Sequence, residues 1–285
     1  MNLSNKSELM SILSGFNFQF SKSLGQNFLI DKNILNKIVE NSNITDKINV
    51  LEIGPGAGTL TYELCKAAKK VVAVEIDKTL VPVLNYVLSD FDNFTLINDD
   101  IMKINLKELI HEQFGDEEFV VAANLPYYIT TPIIMNLFEN EFNVKSMTLM
   151  VQKEVADRMT AKAGNKDYGA LTVGVGFYSD SKVVCQAPPH CFVPQPKVTS
   201  VVVNLNVHDE PVYDVNNKEM FFKMVKSIFS QRRKTLVNSL SGSPFISCGK
   251  EKIIESLEKM GLDQKIRGEK LSIQQLTELS NNLFS

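Results

Sequence analysis

The residues best suited to chemistry are the tetrapeptide Asn124-Leu125-Pro126-Tyr127, which follows an apolar run at residues 119–123. The run predicts a buried strand, and ligands of open α/β sheets bind at the carboxyl ends of strands. The Asn124 oxygen and a backbone carbonyl can each accept one hydrogen of an exocyclic amine. Pro126 stiffens that carbonyl, and Tyr127 offers a flat face to a flipped-out base. The alternative is a strand that ends in a proline turn with a core tyrosine.

A glycine-rich turn lies upstream at residues 54–58, between an apolar run at 49–53 and a helical pattern that begins near Thr59. A strand, a glycine turn and a helix in this order are typical of nucleotide binding, because glycines let the backbone approach a ligand closely. The spacing is Gly-x-Gly-x-Gly. The dinucleotide fingerprint would need Gly or Ala at position 59, and no P-loop lysine follows. The turn therefore favours a nucleotide-type ligand that is not bound through a pyrophosphate.

Acidic residues end the next two predicted strands. Glu75 lies about 20 residues after the glycine turn, where an acid hydrogen-bonds the hydroxyls of a ribose. Asp99 and Asp100 follow the strand predicted at residues 94–97, where a carboxylate is placed to accept from an adenine amino group. The alternatives are a solvated strand end for Glu75 and a helix N-cap for the aspartates, and the two roles could be divided between Asp99 and Asp100.

The segments that position these residues alternate between strands and helices as far as a fifth strand at residues 147–151. This alternation predicts an α/β fold with a doubly wound, mostly parallel sheet. Residues 207–215 read as a linker, so we expect one domain over residues 1–206 and a small all-α domain over residues 207–285.

The predicted C-terminal domain holds the densest basic cluster of the chain, at residues 231–234, and a second cluster at residues 265–270. Arg232 and Arg233 of the first cluster are candidate phosphate contacts, which position RNA without reading its sequence. The alternative for each of these side chains is a solvated helix face.

The composition restricts the class of protein. The chain has 285 residues with 30 basic and 33 acidic side chains, which argues against a surface coated in basic groups but allows a local basic groove. Its four cysteines form no C-x-x-C pair, so neither a zinc site nor a disulfide framework is expected, and reduced thiols fit a cytoplasmic protein. No signal peptide or membrane-length apolar run is visible.

Three separated motifs resemble the ribosomal RNA adenine N6-dimethyltransferases, S-adenosylmethionine-dependent enzymes with a Rossmann-like fold. They are Gln-Asn-Phe-Leu at 26–29, Asn-Leu-Pro-Tyr-Tyr-Ile-Thr at 124–130, and Phe-Val-Pro-Gln-Pro-Lys-Val-Thr-Ser at 192–200. Between the first two lie the glycine turn, Glu75 and Asp100 in the order that the family shows. The KsgA-type branch is the most similar. Its members dimethylate two adjacent adenosines in the hairpin near the 3′ end of small-subunit (16S) rRNA.

The resemblance implies a role for each motif residue. Residues 21–30 would form a loop that covers the cofactor, and Phe192 would cover the second face of the target adenine, although it could equally be a core residue. The small C-terminal domain would help to select the RNA. The implied cofactor contacts are Asn27, Leu29, Gly54, Gly56, Glu75, Asp100 and Asn124.

The expected protein is therefore an enzyme with S-adenosyl-L-methionine as methyl donor and no metal. Its expected partner is small-subunit rRNA or the assembling small subunit. We expect no membrane association, a monomer and a cytoplasmic location. Two alternatives remain open. One is the large-subunit rRNA methyltransferase of the macrolide-resistance type, and the other is a ribosome-assembly factor whose catalysis is secondary.

Overall fold

The structure, a computed structural model, describes residues 1–21, 24–126, 129–140 and 142–284. The chain forms two compact units. The sheet unit comprises Met1–Ala156 and Ser181–Val207, and the helical unit comprises Asp157–Asp180 and His208–Ser285. The boundary expected at 206/207 assigns residues 157–180 to the first domain, whereas their contacts place them with the C-terminal helices.

The sheet unit is built on a seven-stranded sheet in the order β4-β3-β2-β5-β6-β9-β7. Strands β2 to β6 pair in parallel, and β9 is antiparallel to β6. This arrangement confirms the predicted mostly parallel sheet. The strands are β2 (Asn49–Ile53), β3 (Lys70–Glu75), β4 (Phe94–Asn98), β5 (Phe119–Asn124), β6 (Val144–Gln152), β7 (Ser179–Ala187) and β9 (Ser200–Val207).

The central strands consist of apolar runs because a parallel sheet is covered on both faces. All residues of β2 are buried, as are all but the last residue of β5. The chain runs outward from β2 through β3 to β4 and then returns to the other side of β2 as β5. The carboxyl ends of β2 and β5 therefore flank a topological switch point, the usual ligand crevice of such sheets.

Seven helices accompany these strands among the described residues. Asp31 caps α2, and its side chain accepts a hydrogen bond from the Ile34 amide at 3.1 Å. The helices are α1 (Lys6–Gly15), α2 (Lys32–Glu40), α3 (Thr59–Ala67), α4 (Val81–Val87), α5 (Leu106–Phe114), α6 (Thr130–Glu139) and α7 (Lys153–Met159).

A second, two-stranded sheet joins the N-terminal segment to the motif at 192–200. Strand β1 (Phe28–Leu29) pairs antiparallel with β8 (Phe192–Val193), with Leu29 opposite Phe192. The Ile30 amide extends the pairing by donating to the Cys191 carbonyl at 2.8 Å. Two motifs that lie far apart in sequence are thereby adjacent in space.

The helical unit packs its helices around an apolar core with a cluster of aromatic rings. The Phe177 ring centroid lies 5.0–5.7 Å from the ring centroids of Tyr178, Tyr213, Phe221 and Phe222. Its helices are α8 (Ala170–Tyr178), α9 (Lys218–Ser230), α10 (Leu236–Ser241), α11 (Lys250–Lys259) and α12 (Ile273–Leu283). Over the described residues, no helix of the chain combines the length and apolar character needed to cross a membrane.

Candidate active site

The glycine turn after β2 uses backbone conformations that side chains other than glycine rarely adopt. Gly54, Gly56 and Gly58 have φ values of +70°, +58° and +81°. A Cβ atom at Gly56 would also lie 2.8 Å from the Phe28 ring, so position 56 requires glycine on both grounds. The turn thus presents bare backbone to the crevice, as a nucleotide-type ligand requires.

Glu75 is tied to this turn. One of its carboxylate oxygens accepts a hydrogen bond from the Gly56 amide at 3.1 Å, and the other accepts from the Asp77 amide at 2.8 Å. Burial raises the pKa of Glu75, although the amides of Asp77 and Gly56 partly oppose the increase. Each oxygen keeps further acceptor capacity, so the carboxylate can still receive a ligand hydroxyl.

Glu52, the acid two residues before the glycine turn, is a second buried carboxyl. It is 1% exposed, and its Oε2 atom has no hydrogen-bond partner among the described residues. Burial, with a further contribution from the nearby Glu75 charge, raises its pKa from 4.5 to about 8. Glu52 is therefore mostly protonated near neutral pH.

Asp99 and Asp100, the two aspartates after β4, line one cavity together with the glycine turn and Glu75. The Asp100 Oδ1 atom accepts from the Met102 amide at 3.0 Å, and its Oδ2 atom lies 3.6 Å from the Lys103 ammonium. Asp99 is exposed and accepts from the Asp100 amide at 2.7 Å. Asp100 is half-buried and uses one oxygen in a local turn.

Asn124 ends β5 with its side chain in a defined orientation. Its Nδ2 atom donates to the Asn27 backbone carbonyl at 3.0 Å. Since a carbonyl can only accept, the amide nitrogen must face Asn27, and the Asn124 Oδ1 atom is left as an acceptor for another donor. This arrangement gives Asn124 the acceptor that an exocyclic amine requires.

Leu125 and Pro126 lie beside the glycine turn. Leu125 is buried, and the Pro126 ring lies 4.0 Å from the Cβ position at Gly54. The Pro126 carbonyl accepts from the Ile129 amide and from the Thr130 hydroxyl, both at 3.2 Å. Tyr127, the predicted stacking residue, lies outside the described residues.

The cover segment, residues 24–29, lies along the cavity and is held by side chains. Gln26 donates to the Asp77 carboxylate at 2.6 Å and accepts from the Ser21 amide at 2.7 Å. The other Asp77 oxygen accepts from the Thr79 amide at 2.9 Å, which fixes the carboxylate. The Gln26–Asp77 contact thereby places the Asn27 carbonyl. Asp77 was not selected from the sequence, although its position two residues after Glu75 was a usable signal.

We expect Gln26→Ala to weaken cofactor binding about tenfold and to slow methyl transfer, because the lost bond goes to a charged carboxylate. The Asn27 carbonyl would then no longer be held against the Asn124 amide. Calorimetry with S-adenosylhomocysteine and single-turnover rates measure the two effects.

The matched control for this variant is Gln264→Ala, which removes an exposed Gln264–Glu258 bond of 2.8 Å in the helical unit. If Gln26→Ala and Gln264→Ala behaved alike in both measurements, the Gln26–Asp77 contact would not hold the cover segment.

Most of the predicted site residues line one cavity, and three of those described do not. Phe192 is 2% exposed and belongs to the core of the sheet unit, so its burial favours the core alternative, and a role in base stacking stays a prediction. Arg232 and Arg233 lie in the helical unit. The cavity brings together Asn27, Leu29, Gly54, Gly56, Glu75, Asp100, Asn124, Leu125 and Pro126.

The cavity fits the cofactor that its motifs imply. The positive-φ glycines leave a cradle that a Cβ at Gly56 would fill, and the Glu75 carboxylate lines the wall with acceptor capacity to spare. In the parts of the chain that the structure describes, no group of three or more His, Cys, Asp or Glu side chains is arranged to hold a metal ion.

The sheet order, the glycine turn after β2 and the acid that ends β3 define the class of protein as an S-adenosylmethionine-dependent methyltransferase with a Rossmann-like fold. The whole chain gives the narrower assignment. The family model described as ribosomal RNA adenine dimethylase matches residues 17–284, and the chain belongs to this family.

Individual relatives agree with this assignment. The chain is 50% identical over 279 residues to ribosomal RNA small subunit methyltransferase A of Clostridioides difficile (strain 630), which covers 98% of this chain and 96% of the relative. It is similar to the crystal structure of a dimethyladenosine transferase from Plasmodium falciparum, with a TM-score of 0.74 and 28% sequence identity. The match covers 88% of this chain and 95% of the P. falciparum chain. It is also similar to the crystal structure of the 23S rRNA methyltransferase ErmE, with a TM-score of 0.69 and 26% sequence identity. That match covers 91% of this chain and 100% of the ErmE chain.

Proposed function

We propose that the protein transfers methyl groups from S-adenosylmethionine to N6 of two adjacent adenosines in the 3′-terminal hairpin of small-subunit rRNA. The product is N6,N6-dimethyladenosine, and the reaction serves small-subunit ribosome biogenesis. The observation that carries the proposal is the orientation of Asn124, whose amide nitrogen is engaged by the Asn27 carbonyl. The Asn124 side-chain oxygen is therefore free to accept a hydrogen bond from the adenine amine, at the cavity that the glycine turn lines.

The small-subunit substrate is supported by the relatives. The C. difficile relative, a small subunit methyltransferase by name, is 50% identical to this chain. The 23S rRNA methyltransferase ErmE is only 26% identical. The large-subunit alternative therefore rests on the more distant similarity.

The chemistry asks for positioning more than for a strong base. The N6 lone pair of adenine is delocalised into the ring, so the amine is a poor nucleophile. Hydrogen bonds from its two N–H groups to the Asn124 oxygen and the Leu125 carbonyl would favour a more pyramidal, reactive nitrogen. Pro126 would stiffen that carbonyl, and Tyr127 would stack on the adenine. None of the three histidines (His111, His190 and His208) is among the residues that line the cavity.

S-adenosylmethionine, when bound, supplies a sulfonium methyl that is already activated for in-line transfer. The backbone at Gly54 and Gly56 would approach the cofactor closely, and Glu75 would accept from its ribose hydroxyls. Asp100 would accept from its adenine amino group. Asn27 and Leu29, from the cover segment, would close the cavity over it.

The partner that fits this function is the assembling small subunit. Arg233 would contact RNA phosphates, and Phe192 remains a candidate for the second face of the adenine. We expect a monomer in the cytoplasm.

The experiment that tests the function uses radiolabelled S-adenosylmethionine with undermethylated small subunits and, separately, with large-subunit rRNA, followed by nucleoside analysis. Labelled dimethyladenosine from the small subunit alone is the expected result. Label in large-subunit rRNA would favour the resistance-type activity. No label in either, with cofactor still bound, would favour a binding factor.

A further inference from the structure

The helical unit brings together three segments that are distant in sequence: residues 162–168, 231–236 and 263–270. The second and third are joined through their backbones, since the Leu236 amide donates to the Ile266 carbonyl at 2.8 Å. This bond places the turn before α10 beside the chain that leads into α12.

Two further links bind the first segment to the others. The Gly164 amide donates to the Glu269 carbonyl at 2.6 Å. The Arg232 Nη2 atom donates to the carbonyl of Tyr168 at 2.8 Å and also to the carbonyl of Lys166. The three segments are therefore connected pairwise, and the guanidinium of Arg232 makes the side-chain link between the first and the second.

The base of this arrangement is packed into the core of the unit. Tyr168 is 3% exposed, and its ring lies 5.8 Å from the Phe229 ring. A Cβ atom at Gly268 would lie 1.9 Å from the Ile228 side chain, so only glycine allows the third segment to approach α9 this closely. The three segments are thus held in one relative position.

The outer side of the three segments is strongly basic. They contain eight cationic side chains and three carboxylates, in a chain whose net charge is −3. No ion pair to an acidic side chain is found for these cations in the described part of the chain. The exposed members other than Arg232 are Lys162, Lys166, Arg233, Lys234, Lys265, Arg267 and Lys270.

We propose that these three segments form one platform for the phosphate backbone of the RNA substrate. In this platform Arg232 is not a phosphate contact but the pin, by which we mean the side chain that fixes residues 162–168 to residues 231–236. The proposal rests on the proposed function for the identity of the RNA. It differs from the sequence-based expectation, in which Arg232 and Arg233 contact RNA alike and residues 162–168 stay a separate loop.

The geometry of the guanidinium supports this division. Nη2 carries two hydrogens, and both are used on the carbonyls of Lys166 and Tyr168. A lysine ammonium carries the same charge as a guanidinium but concentrates it on one nitrogen and lacks the planar, fork-shaped set of donors. Lysine therefore cannot reproduce this bridge. Without the bridge, Lys162 and Lys166 would sit on a loose loop and would have to be ordered on binding, at a cost in affinity.

The test measures binding of undermethylated small ribosomal subunits over a range of potassium chloride concentrations. The variants are Arg232→Lys, Arg233→Ala, Lys166→Ala and the double variant Arg232→Lys/Lys166→Ala. The matched control is Lys250→Ala, an exposed lysine of the same unit. Amide hydrogen exchange of residues 162–168 is followed without RNA, and binding of S-adenosylhomocysteine is expected to stay unchanged in all variants.

Arg233→Ala and Lys166→Ala should each reduce the salt slope by about one and weaken binding about threefold. Arg232→Lys retains the charge, yet it should weaken binding as much as Lys166→Ala and speed exchange in residues 162–168. The double variant should bind no worse than Arg232→Lys alone, because the pin acts through the segment that carries Lys162 and Lys166.

Wild-type exchange and affinity in Arg232→Lys, or additive losses in the double variant, would overturn the role of Arg232 as a pin. Unchanged subunit affinity in every variant would overturn the platform and would point to an acidic protein as its partner. These outcomes are separate from failure of the proposed function, which shows as no label transferred to small subunits by the wild-type protein.

Discussion

Asn124→Ala should reduce methyl transfer by about a hundredfold to a thousandfold, because removal of one preorganised hydrogen-bond partner of a transition state has effects of this size. The variant loses the Oδ1 acceptor for the adenine amine. It also loses the Nδ2 donor that meets the Asn27 carbonyl at 3.0 Å. Cofactor binding should be weakened at most, because the glycine turn and Glu75 are intact. Single-turnover transfer and calorimetry with S-adenosylhomocysteine separate the two effects.

Two further variants sharpen this test. Asn124→Asp keeps the shape but places a carboxylate oxygen against the Asn27 carbonyl, so it too should fail to transfer methyl groups. Asn143→Ala is the matched control, since the Asn143 amide also donates to a backbone carbonyl, that of Asp116, at 3.1 Å in an exposed position. Full transfer activity in Asn124→Ala would eliminate the proposed role of this residue.

Glu52→Gln should make the protein more stable at neutral and mildly alkaline pH. The pKa of Glu52 rises from 4.5 to about 8 on folding because the carboxyl is buried. Between these values the unfolded chain has released the proton and the folded chain still holds it. The free energy of unfolding therefore falls with rising pH, by about 1.4 kcal/mol per pH unit from this group. Glutamine has the same shape and no proton to release, so this loss should disappear.

Chemical denaturation of the cofactor-free protein at pH 4.5 and near pH 8 measures the difference. The wild-type protein should lose a few kcal/mol more than Glu52→Gln between these conditions. The control is Glu112→Gln, an exposed carboxyl on α5, which should follow the wild-type profile. Parallel profiles for Glu52→Gln and the wild-type protein would show that Glu52 is ionised in the fold.

The sequence alone predicted the sheet and the position of the crevice. The apolar runs of β2, β3 and β5 are long enough to identify strands covered on both faces. Gly54 follows β2 directly, and β3 and β5 end in Glu75 and Asn124, so each run leads to a residue suited to binding. Hydrophobic runs and turn residues are local properties, so they can be read without knowledge of the fold. The carboxyl ends of parallel strands then meet at one edge, and this brought the predicted residues together.

The contacts that orient those residues depend on the tertiary structure. Gln26 and Asp77 are 51 positions apart, and Asn27 and Asn124 are 97 positions apart. Such pairs depend on how the chain crosses the sheet, because no local pattern specifies which carbonyl an amide will meet. The sequence therefore selected Asn124, whereas the fold decided which of its two side-chain atoms is free for the substrate.

Burial was likewise decided by packing. Glu52 and Glu75 both lie at strand ends in the sequence, but their pKa values follow from the depth at which the sheet encloses them. The sequence established the family, the nucleotide-type turn and the residues able to meet an exocyclic amine. The tertiary structure alone decided the core position of Phe192 and the union of residues 157–180 with the C-terminal helices, because both depend on packing between segments far apart in the chain.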